Sequence, residues 1–240
     1  MILNKIYICI IFVSITFTGC LRTYYPAIYQ TSSYPLIYET VDSTQGINRF
    51  YSLDITISKG NYNNESLQLL KGSYTIVDTK DYYNINYKVF GYGGNYKVSG
   101  LENYDGNKSV FGVGWEFSTS FNFKINSLKM GLGINAGIES EFGGYYNFRI
   151  AAEKEGKIES EKKLIFLTFS VFPVISYEFS KSTILSTQAN LGIPGLISPS
   201  LVLNNNGYIY WLSWIPDYVD RDNIFGSRIV VGLLINVNNL

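Results

Sequence analysis

Histidine is absent from this chain of 240 residues. Its absence removes the side chain that most often acts as a general base near neutral pH, and with it any Ser-His or Cys-His nucleophile pair. Cysteine is scarce as well: Cys9 and Cys20 are the only two, so the usual zinc ligand sets have little to draw on. No metal site and no cofactor are expected. Charge is sparse and balanced, with 19 basic and 19 acidic residues, which leaves no basic field to attract nucleic acid. Apolar spacings of three and four never persist for three turns beyond the N-terminal region, so no long helix is expected there.

What is present begins with a segment that reads as disposable. Residues 1–19 hold one cation, Lys5, then an apolar stretch from Ile6 to Phe17 that ends in Phe17-Thr18-Gly19-Cys20. This is the layout of a secretory signal, and the apolar stretch falls short of the roughly 20 residues of a membrane span. Gly19-Cys20, with Thr18 before it, resembles the lipobox of bacterial lipoproteins, although Phe17 stands where that motif usually has leucine. The resemblance implies cleavage before Cys20, a diacylglyceryl group on its sulfur and a fatty acyl group such as palmitate on the new amine. Cys9 would leave with the signal, so the mature chain would have no thiol for a disulfide. Two or more acyl chains hold a protein firmly to a bilayer. Leu21 follows the cysteine where an acidic retention residue would stand in lipoproteins of the inner membrane, which implies the outer membrane.

Residues 20–48 read as the acylated cysteine and a tether, with Tyr24-Tyr25-Pro26 and Tyr34-Pro35 among scattered polar residues and no periodicity. Two prolines so close together argue against regular structure. A Tyr-Tyr-Pro shortly after the cysteine resembles the start of small barrel lipoproteins of Bacteroidetes-type bacteria. That likeness implies a lipid anchor at the periplasmic end of an outer-membrane barrel spanning residues 49–240.

The residues themselves point to strands. From Phe50 to Ser58, Tyr51, Leu53, Ile55 and Ile57 alternate with Ser52, Asp54, Thr56 and Ser58. Similar runs lie near 66–78, 83–92, 94–101, 109–123, 127–139, 144–153, 163–178, 183–193 and 227–238, with further strands plausible at 199–204 and 207–214. Turn-rich separators stand between them, among them Gly93-Gly94, Gly143-Gly144 and Asn204 to Gly207. Pro173 predicts a bulge or break within its run. The fold class that follows is all-β: a single antiparallel up-and-down barrel of about ten strands, with eight or twelve as neighbouring counts.

The hairpin from Val110 to Glu139 makes the faces explicit. With a turn at Ile125-Asn126, one face pairs Phe123 with Leu128, Phe117 with Ile134 and Trp115 with Ala136. The other pairs Asn122 with Lys129, Glu116 with Asn135 and Gly114 with Gly137. Both strands change face in phase, which a one-residue slip would destroy. A membrane barrel turns the apolar face to lipid and the other inward, and interior glycines then make room for bulky side chains from opposite walls. The expected polar lumen comprises Glu116, Asn122, Lys129, Asn135, Glu139 and Arg149. Glu139, Glu141 and Glu116 share a face and read as a network neutralised by Lys129 and Arg149. Tyrosine, with 21 residues, suits interfacial girdles. Tyr208, Tyr210, Trp211 and Trp214 read as interface anchors.

These features predict a non-catalytic outer-membrane lipoprotein in a structural or surface-contact role, partnered by membrane lipid and expected as a monomer. Outer-membrane barrel enzymes generally rely on histidine. Two alternatives remain open at this point: a narrow channel, and a periplasmic lipid-tethered barrel with an apolar ligand cavity around Trp115 and Phe117.

Overall fold

A computed structural model describes residues 21–31, 35, 46–80, 82–215 and 227–237. The expected signal peptide, Cys20, the tether from 36 to 45 and the connection 216–226 lie outside the described residues. Ten long strands form one closed antiparallel barrel. In chain order they are β2 (Gly46–Lys59), β3 (Ser66–Thr79), β4 (Tyr83–Val98), β5 (Gly106–Ile125), β6 (Leu128–Phe142), β8 (Ile165–Ser180), β9 (Thr183–Ile193), β10 (Leu196–Asn205), β11 (Tyr208–Ile215) and β12 (Arg228–Asn236). Neighbours in the chain are neighbours in the sheet, and β12 closes the ring on β2 through pairs from Arg228↔Ser58 to Asn236↔Phe50. Two short strands, β1 (Arg22–Tyr24) and β7 (Ile158–Ser160), pair in parallel apart from the barrel sheet. One helix, α1 (Gly144–Lys154), precedes β7.

The number of barrel strands agrees with the sequence reading, but three elements differ. Gly93-Gly94 is no turn; both residues lie inside β4, opposite Leu70 and Leu69. A Cβ at Gly94 would sit 1.9 Å from the carbonyl oxygen of Gln68, so the glycine permits close approach of two backbones. Residues 144–153 are helical rather than extended. Tyr145, Phe148, Arg149 and Ala152 form the buried face, a spacing of three and four that lasts only two turns. The third difference is one of extent at 196–215, where the strands read as plausible at 199–204 and 207–214 form a full hairpin, β10–β11, that completes the ring.

The predicted hairpin keeps its faces and shifts its pairing. Ile125 pairs with Leu128 and Phe123 with Met130, so the turn is Asn126-Ser127. Asn126 takes a positive φ of 55°, which asparagine tolerates better than isoleucine. Pro173 leaves β8 continuous, but the β8–β9 ladder passes from Val171↔Leu191 to Val174↔Gln188, open across the proline that lacks an N–H.

The two ends of the barrel are unlike. Residues 126–127, 181–182 and 206–207 make tight turns at one end, here the turn end, where β3 also passes to β4. Connections 60–65, 99–105 and 143–164 make the other, the loop end, together with the short Pro194-Gly195 link. The predicted face assignment holds around the ring. Trp115 is 44% exposed and Val113 53%, while Glu116, Ser118 and Ser120 are buried. The aromatic face therefore looks outward. An apolar cavity around Trp115 and Phe117 is excluded, because both residues leave the interior by the alternation of β5.

Candidate functional site

The lumen is where the chain concentrates its polar chemistry, and at the loop end the chain fills that lumen with itself. Residues 22–31, expected to be tether, form β1 and a 3-10 turn at Ala27–Gln30, and Tyr24, Ala27 and Ile28 are wholly buried. Aperiodic Tyr-Pro sequence reads as linker, yet its side chains find partners on distant strands. Arg22 donates from Nη1 to the Ser99 carbonyl at 2.6 Å. The Glu65 carboxylate, itself buried, accepts hydrogen bonds from the hydroxyls of Tyr24 and Tyr96 and from the Ser99 N–H. The Ala27 N–H donates to Glu141 Oε2 at 2.6 Å, and Arg228 Nη1 reaches the Tyr29 carbonyl at 2.9 Å.

Helix α1 supplies the other side of this plug. Arg149 bridges Glu141 Oε1 at 2.7 Å and the Glu161 carbonyl at 2.7 Å. Tyr145 donates to the Tyr25 carbonyl, and Ser160 Oγ to that of Tyr24. Ring contacts fill the spaces between: Tyr96 stacks on Tyr145 at 4.3 Å, and Phe148 meets Tyr24 edge-on at 5.2 Å. Burial, reinforced by Glu65, pushes the Tyr24 phenol well above its ordinary range. Burial and the neighbouring Glu161 raise Tyr29 to about 12. Both phenols therefore remain protonated donors near neutral pH. Many of the tyrosines that composition suggested for girdles thus serve the plug.

Below the plug lies a charged layer: Asp54 (β2), Lys71 (β3), Lys88 (β4), Glu116 (β5) and Glu139 (β6), all buried and all pointing inward. Lys88 pairs with Glu116, and Lys71 lies 3.9 Å from Asp54. Opposite charges in such a confined space must sit together or pay for desolvation alone. Two aromatic rings lie flat over glycines of the adjacent strand here, Phe90 over Gly114 and Tyr92 over Gly112, and a third, Trp211, over Gly232 elsewhere on the wall. A Cβ at Gly112 would come within 2.1 Å of the Tyr92 ring. The room that glycine makes is for a cross-strand neighbour, not for a side chain from the opposite wall.

Nearer the turn end the wall carries small hydroxyls and amides that pair directly across strands. Asn86 donates to Ser118 at 2.9 Å and Ser176 meets Ser186 at 2.7 Å, and farther from the turns Ser200 meets Ser213 at 2.6 Å. Phe50, Val77, Val202, Ile209, Trp211 and Leu234 form an apolar cluster inside the turn end. Trp211 is 3% exposed and belongs to this interior, whereas Tyr208, Tyr210 and Trp214 face outward as expected of interface residues.

Each sequence-derived lumen residue can now be placed. Glu116, Asn135 and Glu139 are buried on inward positions, and Asn122 and Lys129 are half-buried ones near the turn end. Arg149 is buried too, but it comes from α1 and not from a strand. The expected neutralising partners are redistributed: Lys129 pairs with Glu178 at 2.8 Å, Glu116 with Lys88 and Glu141 with Arg149. Asp54, Glu65, Lys71, Lys88, Glu178 and Arg228 were not singled out. Their alternation with apolar neighbours carried the signal for all but Glu65, which sits in a loop. Cys20 lies outside the described residues.

The outward surface is the second half of the site. Arg49 and Lys59 face outward at the two ends of β2, as do Asp78 of β3 and Lys97 of β4 at opposite ends of the wall. Between those ends, no outward position on the described barrel strands carries Asp, Glu, Lys or Arg. Arg49 and Lys59 are ten residues apart, roughly 34 Å along a strand and about 26 Å in height at a tilt of about 40°. Tyr51, Tyr74, Tyr83, Tyr177, Tyr208 and Tyr210 point outward toward the turn end, with Tyr51 and Tyr74 paired across strands at 5.3 Å.

No protein-family model matches the chain, and no curated protein matches it in sequence. Among solved structures, an outer-membrane channel from Pseudomonas putida F1 is similar at a TM-score of 0.43 and 8% identity, covering 85% of this chain and 100% of that one. The translocator domain of the autotransporter NalP from Neisseria meningitidis gives 0.41 at 9% identity, covering 82% and 90%. Neisserial surface protein A gives 0.34 at 10% identity, covering 79% of this chain and 94% of that chain.

Proposed function

We propose that this protein is an outer-membrane β-barrel lipoprotein, acylated at Cys20, with a structural or surface-contact role and no catalytic one. The uncharged outward belt carries the reading. Its height of about 26 Å corresponds to the apolar band of outer-membrane barrels, roughly 25 Å, and charges return to the outward face only at its rims. The plugged lumen supports a contact role over transport. Of the buried carboxylates Glu116, Glu139 and Glu141, Glu116 is committed to Lys88 and Glu141 to Arg149 and the plug, which leaves Glu139 without the second free carboxylate that an acid–base pair needs. The test replaces Cys20 with serine behind an ordinary cleavable signal. Retention in the outer membrane, with a gel shift that appears only after boiling, is the expected result. A folded β protein in the soluble fraction would sink the reading.

A narrow channel is the second reading, favoured by one observation, the charged and hydroxyl-lined layer below the plug. Single-channel conductance above the lipid baseline for the intact protein would support it.

A further inference from the structure

The plug fixes where the mature N-terminus leaves the barrel. Leu21 is exposed, and Arg22 beside it is held to Ser99 and lies 4.9 Å from the ring of Tyr62. Ser99 and Tyr62 both belong to loop-end connections. β1 then pairs in register with β7, with Arg22 opposite Ile158, Thr23 opposite Glu159 and Tyr24 opposite Ser160. At the far side of the plug, the Thr31 carbonyl lies against Gly195, also at the loop end. Gly46, where the barrel wall begins, pairs with Thr79 at the turn end.

Cys20 is one peptide unit from Leu21, about 3.8 Å between Cα atoms. The leaflet at the turn end lies a hydrocarbon thickness away, about 30 Å. The cysteine cannot reach it while Arg22–Thr31 occupy the lumen. Short turns face the periplasm and longer loops the exterior in outer-membrane barrels. From this placement we infer that the mature N-terminus emerges at the cell-surface end of the barrel, so that the acyl chains on Cys20 enter the outer leaflet beside the long loops. This is opposite to the periplasmic anchor expected from sequence. The acyl part rests on the lipoprotein reading; the exit of the chain at the loop end does not.

The partner is then a lipid surface at the rim of loops 60–65 and 99–105. An anchor there keeps the first residues of the plug beside the mouth they close. The extra chains add lipid contact on the loop side to the polar and aromatic contacts that already hold the N-terminal segment.

The experiment uses the full chain in cells. The double variant T23C/E159C places two thiols on paired positions of neighbouring strands, roughly 4.8 Å apart, within disulfide range. The single variants E159C and K181C report the loop end and the turn end to a membrane-impermeant maleimide. Radiolabelled fatty acid, with C20S as the control, reports acylation. Gel shift on boiling verifies that each variant is folded. The expected result is a disulfide in T23C/E159C, labelling of E159C on intact cells, labelling of K181C only after permeabilisation, and loss of fatty acid in C20S. A folded, acylated T23C/E159C that forms no disulfide overturns the inference and leaves lipidation standing. Labelling of K181C but not E159C on intact cells also overturns it, by reversing the barrel. A disulfide without fatty acid in the wild type removes the acyl part and the lipoprotein reading together, while the loop-end exit stands.

Discussion

At the loop end, Tyr24, Tyr29 and Arg149 are held by partners from the far N-terminus to the last strand. At the turn end, Ser176 meets its register partner Ser186, and the connections are tight turns. The first end is assembled from long-range contacts among large polar and aromatic groups. The second relies on pairs between adjacent strands, Ser176 with Ser186 and Asn86 with Ser118, beside an apolar cluster of wall side chains. Loss of a single side chain should therefore propagate at the loop end and remain local at the turn end.

The largest effect is expected from Arg149→Ala. It leaves Glu141 buried without its cation and frees the Glu161 carbonyl, and breaking a buried pair costs about 3–5 kcal/mol. The midpoint of the heat-induced gel shift in detergent should fall sharply, and limited proteolysis should cut within residues 22–31 of the otherwise folded barrel. Equal protection of that segment in the variant and the wild type would show that the plug does not depend on Arg149. Gly112→Ala should come next. Its Cβ would press on the Tyr92 ring from 2.1 Å, and overpacking of this kind costs about 1–3 kcal/mol. Adding Tyr92→Leu should restore much of the loss in the same thermal measurement, and failure to do so would mean the glycine serves something other than that ring. The smallest effect should follow Ser176→Ala, about 1 kcal/mol, with no change in proteolysis at the loop end. A loss as large as that of Arg149→Ala would erase the distinction between the two ends.

The faces of the wall were legible because period two is imposed by strand geometry and both partners of the Val110–Glu139 hairpin obey it. The register was not, since moving the turn by one residue on each side preserves every face, and only the left-handed backbone at Asn126 selects between the two. The strand number came out at ten although two of the readings behind it fail. Gly93-Gly94 looks like a turn but serves close backbone approach. Gly144–Lys154 alternates enough to pass for a strand while burying a two-turn helical stripe. The β10–β11 hairpin makes up the difference.

Of the lumen, the wall residues were readable from alternation alone. Arg149 was placed inside for a reason that does not hold, since it projects from a helix. The plug was illegible because nothing local announces it. Tyr24 and Ala27 acquire their meaning from Glu65 and Glu141, and no periodicity links such positions. The apolar face of the Val110–Glu139 hairpin was legible in the same way, and the structure extends it into an uncharged outward belt around the described strands.

Arg228 Nη1 donates to the Tyr29 carbonyl across 199 residues of sequence, and Arg228 opens the strand that seals the ring against β2. The plug is thus made from residues 22–31, near the start of the chain, but its set of partners is complete only when the last strand arrives. During assembly, β12 delivers closure of the wall and the final tie on the plug in one event. Such long-range contacts form slowly. An open mouth with a loose N-terminal segment is accordingly the mark of an unfinished barrel, and occlusion of the mouth is the record that synthesis and closure have both run to the end.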